Sequence, residues 1–318
     1  MDECFIFKYK PKNLNEFYCN NNIQELIQQY IKIDELNLIL FGSSGSGKTT
    51  LIECILKEYY KKNTECNDNN ILIINCLKEQ GITFYRNEVK NFCQTISTSS
   101  RKKCIIIDDI DNINEQCQQV FRNYIDKYSN NVNIIMSCSN IHKIIDSLKS
   151  RVILMKIETI NEKILDNICN KIIYNEKIAI TQEAKKKLYQ ISNYSIRNII
   201  NYLEKIYLYN FEVNITNVDN LCSNISFYTL EKYTQYCLDN KINKSLEILY
   251  NIFKIGYTLM DIYDEYFIYV KYSNILEETQ KLEINKILCK YISIFYNTHE
   301  DEIELAFFNK EIVDALNN

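Results

Sequence analysis

The chain has 318 residues and a formal net charge of −4, with 13 cysteines, two histidines, one proline and five glycines. This acidic balance excludes a basic surface over the whole protein, and the scattered cysteines without a C-x-x-C pair argue against a zinc site and for reduced thiols. No apolar run approaches the ~18 residues of a membrane span and no basic-then-apolar leader opens the chain, so we expect an intracellular protein.

The first 35 residues predict an N-terminal arm, because Pro11 fixes an extended turn and a helical stripe follows from Ile23 to Tyr30. An apolar run then stops at residues 42–50, G-S-S-G-S-G-K-T-T, and an amphipathic segment follows. This strand, loop and helix fit the P-loop pattern G-x-x-x-x-G-K-[ST], in which backbone N–H groups surround phosphates. Lys48 is predicted to reach the β- and γ-phosphates, and Thr49 to ligate Mg²⁺. The alternative is a Gly/Ser turn that matches by chance.

Strands and helices are predicted to alternate up to residue 157, with a polar surface loop at 61–70. This alternation predicts an α/β domain in which a parallel sheet has helices on both faces and binds ligands at the carboxyl ends of its strands. The predicted strands are 36–41, 71–76, 104–108, 132–138 and 152–157, and the predicted helices are 48–60, 84–96, 114–128 and 141–149.

Beyond residue 158 only helices are predicted, at 161–175, 181–192, 195–210, 226–239, 242–255, 259–272, 282–296 and 302–316. We therefore expect three domains: a nucleotide-binding domain at 1–157, a small all-α domain at 158–222 and a second all-α domain at 226–318. Tyrosines are abundant in the last third, and their helical spacing among Leu and Ile favours packing over base stacking.

Two acids, Asp108 and Asp109, close the third apolar strand. A P-loop ATPase needs an acid at the end of a neighbouring strand to hold Mg²⁺, which Asp108 fits, and a second acid to orient the attacking water, which falls to Asp109. The alternative is a plain turn or a helix cap.

The order of several short motifs resembles the small subunits of replication factor C, the AAA+ sliding-clamp loader, from residue 8 to about 205. The motifs are K-Y-K-P at 8–11, N-C at 75–76, Q-G-I at 80–82, D-D-I-D at 108–111, the helix at 118–129, I-M-S-C-S-N at 135–140, S-R-V at 150–152 and I-R at 196–197. The resemblance implies an AAA+ domain, an all-α lid and an all-α collar that joins subunits into a ring.

The resemblance also assigns roles to individual residues. Arg151 is expected to act as an arginine finger in the ATP site of the adjacent subunit, and Arg197 as the lid's sensor of the γ-phosphate. The polar sensor on the fourth strand falls on Ser139, with Asn140 one position later. The residues expected to bind nucleotide are Tyr9, Pro11, Gly42, Ser43, Ser44, Gly45, Ser46, Gly47, Lys48, Thr49, Thr50, Ser139, Asn140 and Arg197.

The function implied is Mg²⁺- and ATP-dependent loading of a sliding clamp onto primer–template DNA, within a hetero-oligomer of loader subunits. It would act in a nucleus or in a viral replication compartment. Arg86 and Lys90, one helical turn apart, are the candidates for DNA contact; the alternative is a solvated helix face. Asp109 is one methylene shorter than the family's Glu, which predicts firm ATP binding with modest hydrolysis. Two alternatives are an ATP-binding structural subunit with little hydrolysis and a different AAA+ DNA-processing ATPase.

Overall fold

A sheet of five parallel strands organises the first of the two units into which the chain divides, Met1–Ile168 and Cys169–Asn318. The structure is a computed structural model. It describes residues 3–18, 21–60, 70–76, 81–95, 101–158, 162–192, 194–209, 218, 221–222, 225–273, 275–295 and 301–317. The predicted loop at 61–70 lies, except for Asn70, outside these residues, and so does Gln80.

All five predicted strands are confirmed: β1 (Leu38–Phe41), β2 (Ile71–Asn75), β3 (Lys103–Asp108), β4 (Val132–Cys138) and β5 (Ile153–Lys156). Their order in the sheet is β2-β3-β4-β1-β5, and every described pairing is parallel. The first strand begins two residues later than predicted because the Leu36 N–H is bonded to the side-chain oxygen of Asn133 at 3.1 Å, not to the backbone of the neighbouring strand.

The helices of the first unit are α1 (Phe5–Lys8), α2 (Asn21–Ile33), α3 (Lys48–Tyr60), α4 (Ile82–Gln94), α5 (Glu115–Tyr128) and α6 (Asp146–Lys149). The continuous helix predicted at 141–149 is wrong. A single 3₁₀ turn at Ile141–Lys143 is followed by two extended residues before α6 begins. The Gln118 amide stabilises this break, since it donates to Lys143 O at 3.0 Å and accepts from Ile145 N at 3.0 Å.

The sheet is buried on both faces, as parallel sheets usually are. Alternate residues of β3 illustrate this: Ile105 and Ile107 pack in one hydrophobic cluster with residues of α4 and α5, whereas Cys104 and Ile106 pack in another with residues of α2 and α3. The carboxyl ends of β1, β3 and β4 therefore meet at one edge of a rigid layer, where polar residues begin.

The second unit is helical, in agreement with the sequence prediction. Its helices are α7 (Glu162–Glu176, which begins in the first unit), α8 (Gln182–Ile191), α9 (Ile196–Tyr209), α10 (Phe227–Leu238), α11 (Ile242–Ile255), α12 (Leu259–Tyr272), α13 (Glu278–Phe295) and α14 (Ile303–Asn317). The predicted division into three domains stays a prediction.

Several of the tyrosines in the second unit form its core, as predicted. Tyr233, Tyr263 and Tyr266 are buried, and the rings of Tyr233 and Tyr266 meet edge to face with centroids 5.3 Å apart. Tyr263 packs on Phe308 with centroids 4.5 Å apart. None of the helices in the described part of the chain is long and apolar enough to cross a membrane.

Candidate nucleotide-binding site

The loop between β1 and α3 has a backbone that requires glycine at particular positions. Gly45 and Gly47 have φ angles of 77° and 89°, in the left-handed region that residues with a Cβ avoid. Gly42 has a different constraint, because a Cβ there would lie 2.6 Å from the backbone oxygen of Ile157. The loop thus passes directly over the end of β5, and this close approach fixes where its N–H groups lie.

The N-terminal arm packs against this loop and against α3. Two ring atoms of Phe17 lie 3.1 Å from the place where a Cβ of Gly47 would be. Further along, Lys10 forms an ion pair with Glu53 of α3, with Nζ 2.6 Å from Oε2, and the Cys54 thiol donates to Pro11 O at 3.4 Å. These contacts hold Pro11, and the Tyr9 backbone two residues before it, beside the helix that follows the loop.

Two polar groups inside the loop suit an anionic ligand. Lys48 is buried, and its Nζ donates to Gly42 O and Ser43 O at 3.0 Å each. The Ser46 hydroxyl is also buried and has no hydrogen-bond partner among the described residues. A cation and an unpaired donor at the start of a helix, where backbone N–H groups are also free of intrahelical bonds, form an environment that phosphate satisfies.

A chain of hydrogen bonds connects the start of α3 with the end of β3. The Thr49 hydroxyl donates to the Asp108 carboxylate, at 3.2 Å from Oδ1 and 3.1 Å from Oδ2. Ser137 of β4 donates to Oδ1 of the same carboxylate, and its Oγ accepts from the Asp109 N–H at 3.0 Å. Asp109 itself has φ 55° and ψ 52°, a left-handed conformation that Asp tolerates better than most residues.

The end of β4 places the two neighbouring polar residues of the sequence differently. The Ser139 hydroxyl lies 3.4 Å from Lys48 Nζ, whereas the Asn140 side chain accepts from His142 N at 2.9 Å and caps the 3₁₀ turn. Asp111 holds this segment from the β3 side, since its Oδ2 accepts from Ser139 N at 3.3 Å and from Asn140 N at 3.0 Å. Ser139 is therefore the residue that lies beside Lys48, at the end of the loop between β1 and α3 (residues 42–47, the phosphate loop).

Buried thiols border the acids. Burial, with the Asp109 and Asp108 carboxylates nearby, raises the pKa of the Cys76 thiol to about 12, and burial likewise raises the pKa of Cys138 to about 12. Both side chains thus stay neutral at physiological pH. They contribute apolar volume beside the acids instead of competing for a proton or a metal ion.

Arg151 lies just after α6 and is held by acceptors of its own chain. Its Nε donates to Asp126 Oδ1 of α5 at 2.7 Å, and its Nη1 donates to Ser147 O at 2.7 Å. Arg122 approaches the other oxygen of Asp126 at 3.8 Å. The Arg151 side chain is 29% exposed, so it is partly accessible to solvent.

The remaining predicted site residues are on α9 and α4. Arg197 is exposed in the first turn of α9, in the second unit, and its role as a sensor stays a prediction. Arg86 and Lys90 are both exposed on α4, one turn apart as expected. Their contact with DNA also stays a prediction.

Three residues that contact the site were missed by sequence reasoning: Ser137, Asp111 and Phe17. A hydroxyl within the otherwise apolar run at 134–138 and a third acid after Asp109 were the available signals for the first two. Phe17 offered no signal, because an aromatic residue in an N-terminal arm is indistinguishable from ordinary core packing until its position over Gly47 is known.

Comparison with known proteins agrees with this geometry. Residues 38–158 match the family described as ATPase family associated with various cellular activities (AAA). A replication factor C small subunit of Acanthamoeba polyphaga mimivirus is 28% identical over 89% of this chain and 88% of its own length. Replication factor C subunit 3 of Saccharomyces cerevisiae is 27% identical over 63% of this chain, and the small subunit of Saccharolobus solfataricus is 30% identical over 62%. The chain spans less than two thirds of these two cellular relatives, 58% and 59%.

Solved structures support the fold. The RuvB Holliday junction branch migration motor of Thermotoga maritima superposes with a TM-score of 0.52 over 76% of this chain and 85% of its own, at 15% identity. Domain III of the Thermotoga maritima replication initiation protein DnaA superposes with a TM-score of 0.50 over 66% of this chain and 95% of its own, at 17% identity. At these identities the likeness concerns the fold alone.

Proposed function

We propose that this chain, which has an AAA ATPase domain and is related over most of its length to replication factor C small subunits, is an ATP-dependent subunit of a sliding-clamp loader. In this role it helps to open a ring-shaped clamp and to load it onto primer–template DNA. The observation that carries the proposal is the hydrogen-bonded link from Thr49 through Asp108 to β4, beside a phosphate loop of matching geometry, in a chain whose sequence relatives are loader subunits.

The site suits ATP with Mg²⁺. Lys48 now donates to neutral carbonyls, and a triphosphate offers its ammonium group oxygens that carry negative charge. The Thr49 hydroxyl and the Asp108 carboxylate are hard oxygen ligands 3.1 Å apart, the pair that P-loop proteins offer to Mg²⁺, which keeps several waters besides. When bound, the ion would neutralise charge on the β- and γ-phosphates. Asp109 then orients the attacking water, and Ser139 supports the γ-phosphate beside Lys48.

Hydrolysis by this chain is expected to need a neighbour. Arg151, the proposed arginine finger, is held by Asp126 on α5 of its own chain and would act in the ATP site of an adjacent subunit. The ATP site of this chain would in turn need an arginine from another subunit. The function therefore requires a hetero-oligomeric ring, as a pentamer of loader subunits that contacts the clamp and DNA. Arg86 and Lys90 would add phosphate contacts only within that ring, since the chain is acidic overall. We place the protein inside the cell, in a nucleus or a viral replication compartment.

A second candidate is an ATP-binding structural subunit that gives Arg151 to its neighbour and hydrolyses little itself. It is favoured by Ser139, whose short hydroxyl replaces the amide expected of the family and reaches Lys48 only at 3.4 Å. Another AAA+ DNA-processing motor is the third possibility, but the likeness to RuvB, at 15% identity, extends to the fold alone.

Two measurements test the proposal. Calorimetric titration of the chain with ATP and Mg²⁺ should show binding, and Lys48→Ala should weaken it at least tenfold with the fold retained. The chain is then co-expressed with candidate loader subunits and a clamp, and single-turnover hydrolysis is compared in complexes with and without Lys48→Ala in this subunit alone. A lower burst supports hydrolysis here, and an unchanged burst supports the structural subunit. A wild-type chain that binds no ATP refutes both.

A further inference from the structure

Ser137 is the sixth residue of β4 and its hydroxyl is fully buried. It directly follows three apolar residues of the strand, Ile134, Ile135 and Met136. Burying a hydroxyl is unfavourable unless hydrogen bonds replace those it made to water. An alanine would fill nearly the same volume without that requirement. Packing therefore does not explain a hydroxyl at this position. The explanation must lie in the hydrogen bonds that the hydroxyl makes.

Both bonds of Ser137 go to the two acids assigned to hydrolysis. Its Oγ donates its single proton to Asp108 Oδ1 and accepts the N–H of Asp109 at 3.0 Å. The same Asp108 carboxylate receives the Thr49 hydroxyl. One oxygen atom thus fixes the rotation of the Asp108 carboxylate and the backbone of the next residue.

The bond to Asp109 matters because this residue is in the left-handed region, with φ 55° and ψ 52°. A left-handed conformation is less favourable for a residue other than glycine, so it needs support from its surroundings. The conformation also decides the direction in which the Asp109 side chain leaves the backbone. A hydroxyl that bonds this N–H therefore sets the direction of the second acid.

We propose that Ser137 is a positioning residue that couples the two acids: it holds the Asp108 carboxylate towards Thr49 and keeps Asp109 in its left-handed conformation. This inference rests on the proposed ATPase function and deepens it. A displacement of Asp108 when nucleotide and Mg²⁺ enter is passed through one hydroxyl to Asp109, so that the water-orienting acid responds to occupancy of the site.

The test uses the full chain with Ser137→Ala, with Ser137→Thr as the conservative variant that keeps the hydroxyl, and with Asn133→Ala as the matched control. Asn133 is also fully buried on β4, but its side chain bonds Leu36 N and Tyr59 at the opposite end of the strand. The control therefore removes a buried polar group of the same strand without touching the acids.

The readouts are thermal unfolding, the Mg²⁺ concentration at which ATP binding is half-maximal, and the single-turnover rate in the assembled loader. Ser137→Ala should raise the Mg²⁺ requirement and lower the rate by about 10-fold or more, the range found when groups that orient a metal ligand are removed. Ser137→Thr should restore both. Asn133→Ala should reduce thermal stability but leave the Mg²⁺ requirement unchanged.

Two results overturn the proposal. One is a Mg²⁺ requirement and a rate in Ser137→Ala that equal those of the wild type. The other is a raised Mg²⁺ requirement and a lowered rate in Asn133→Ala as large as those in Ser137→Ala, when the two variants lose the same thermal stability. If Ser137→Ala does not fold, Ser137→Cys, which keeps the shape but donates weakly, replaces it under the same criteria. If the wild-type chain binds ATP and Ser137→Ala has the same Mg²⁺ requirement and rate, this inference alone is refuted. Failure of the wild-type chain to bind ATP refutes the proposed function itself.

Discussion

Gly42→Ala tests whether the phosphate loop depends on its close approach to β5. The added Cβ would lie 2.6 Å from the carbonyl oxygen of Ile157 and 3.2 Å from Ser46 Oγ, whereas ordinary contacts begin at 3.4 Å. The carbonyl belongs to backbone that is itself tied down, since Ile157 N donates to Phe41 O at 2.8 Å. The loop must therefore move by roughly 1 Å, a shift able to cost about 100-fold where geometry is critical, and crowding of this kind destabilises by about 1–3 kcal/mol.

The assay is a titration of each variant with a fluorescent ATP analogue, together with thermal unfolding. Gly42→Ala should weaken binding by at least tenfold. Gly81→Ala is the first control, because its nearest atom is 3.5 Å away at Thr83 and both properties should be nearly unchanged. Gly256→Ala is the second: its φ of +114° makes it destabilising, but nucleotide binding should be that of the wild type. Wild-type affinity in Gly42→Ala would refute the argument from close approach.

Three further predictions concern stability, assembly and pH. Lys177 is exposed at the end of α7 and has a φ of 52°, which glycine adopts more readily than lysine. Lys177→Gly should therefore stabilise the chain by about 0.5–1 kcal/mol, and a lower unfolding temperature would contradict this. Asp126→Ala should change hydrolysis in the neighbouring subunit less than about fivefold, because the partly exposed ion pair that it removes contributes about 0–1 kcal/mol, with ATP binding by the isolated chain unchanged; a roughly tenfold loss of rate in the loader would count against it. The free energy of unfolding should fall as the pH rises through about 9, because the unfolded chain ionises its thiols there while burial raises the pKa of Cys76 and Cys138 to about 12; denaturant titrations between pH 8 and 10.5 check this, and a free energy that does not fall would contradict it.

The sequence predicted those elements whose signals are local. Helix α12 has the bounds that were predicted. Its start is decided locally, because Thr258 and Asp261 form a capping box within four residues. The end of α11 was equally readable, since Gly256 takes a φ of +114° there. Strand β4, bounded by polar residues and buried along its whole length, was also placed correctly. In these cases the residues that decide the boundary are neighbours in the chain.

What the sequence could not predict depends on contacts between distant residues. The helix predicted at 141–149 is interrupted by the amide of Gln118, which lies 25 and 27 residues before its two partners. Ser137 was read as one residue of a strand, because its two bonds become visible only when β3 lies beside β4. The preference for Ser139 over Asn140 likewise required the position of Lys48. Motif spacing thus located the site, but not the residues that orient it.

Lys48 and Arg151, two of the cations proposed to contact phosphate, share one property that bears on mechanism: each already has acceptors in its own chain. On the proposed function Lys48 would exchange neutral carbonyl partners for negatively charged phosphate oxygens, an exchange that favours binding. Arg151 gives up a carboxylate, Asp126, but that ion pair is partly exposed, and such pairs contribute about 0–1 kcal/mol. Breaking the Arg151–Asp126 ion pair should therefore require little free energy. We expect that Arg151 contacts the γ-phosphate as soon as a neighbouring subunit presents it, and that the ion pair does not delay this contact.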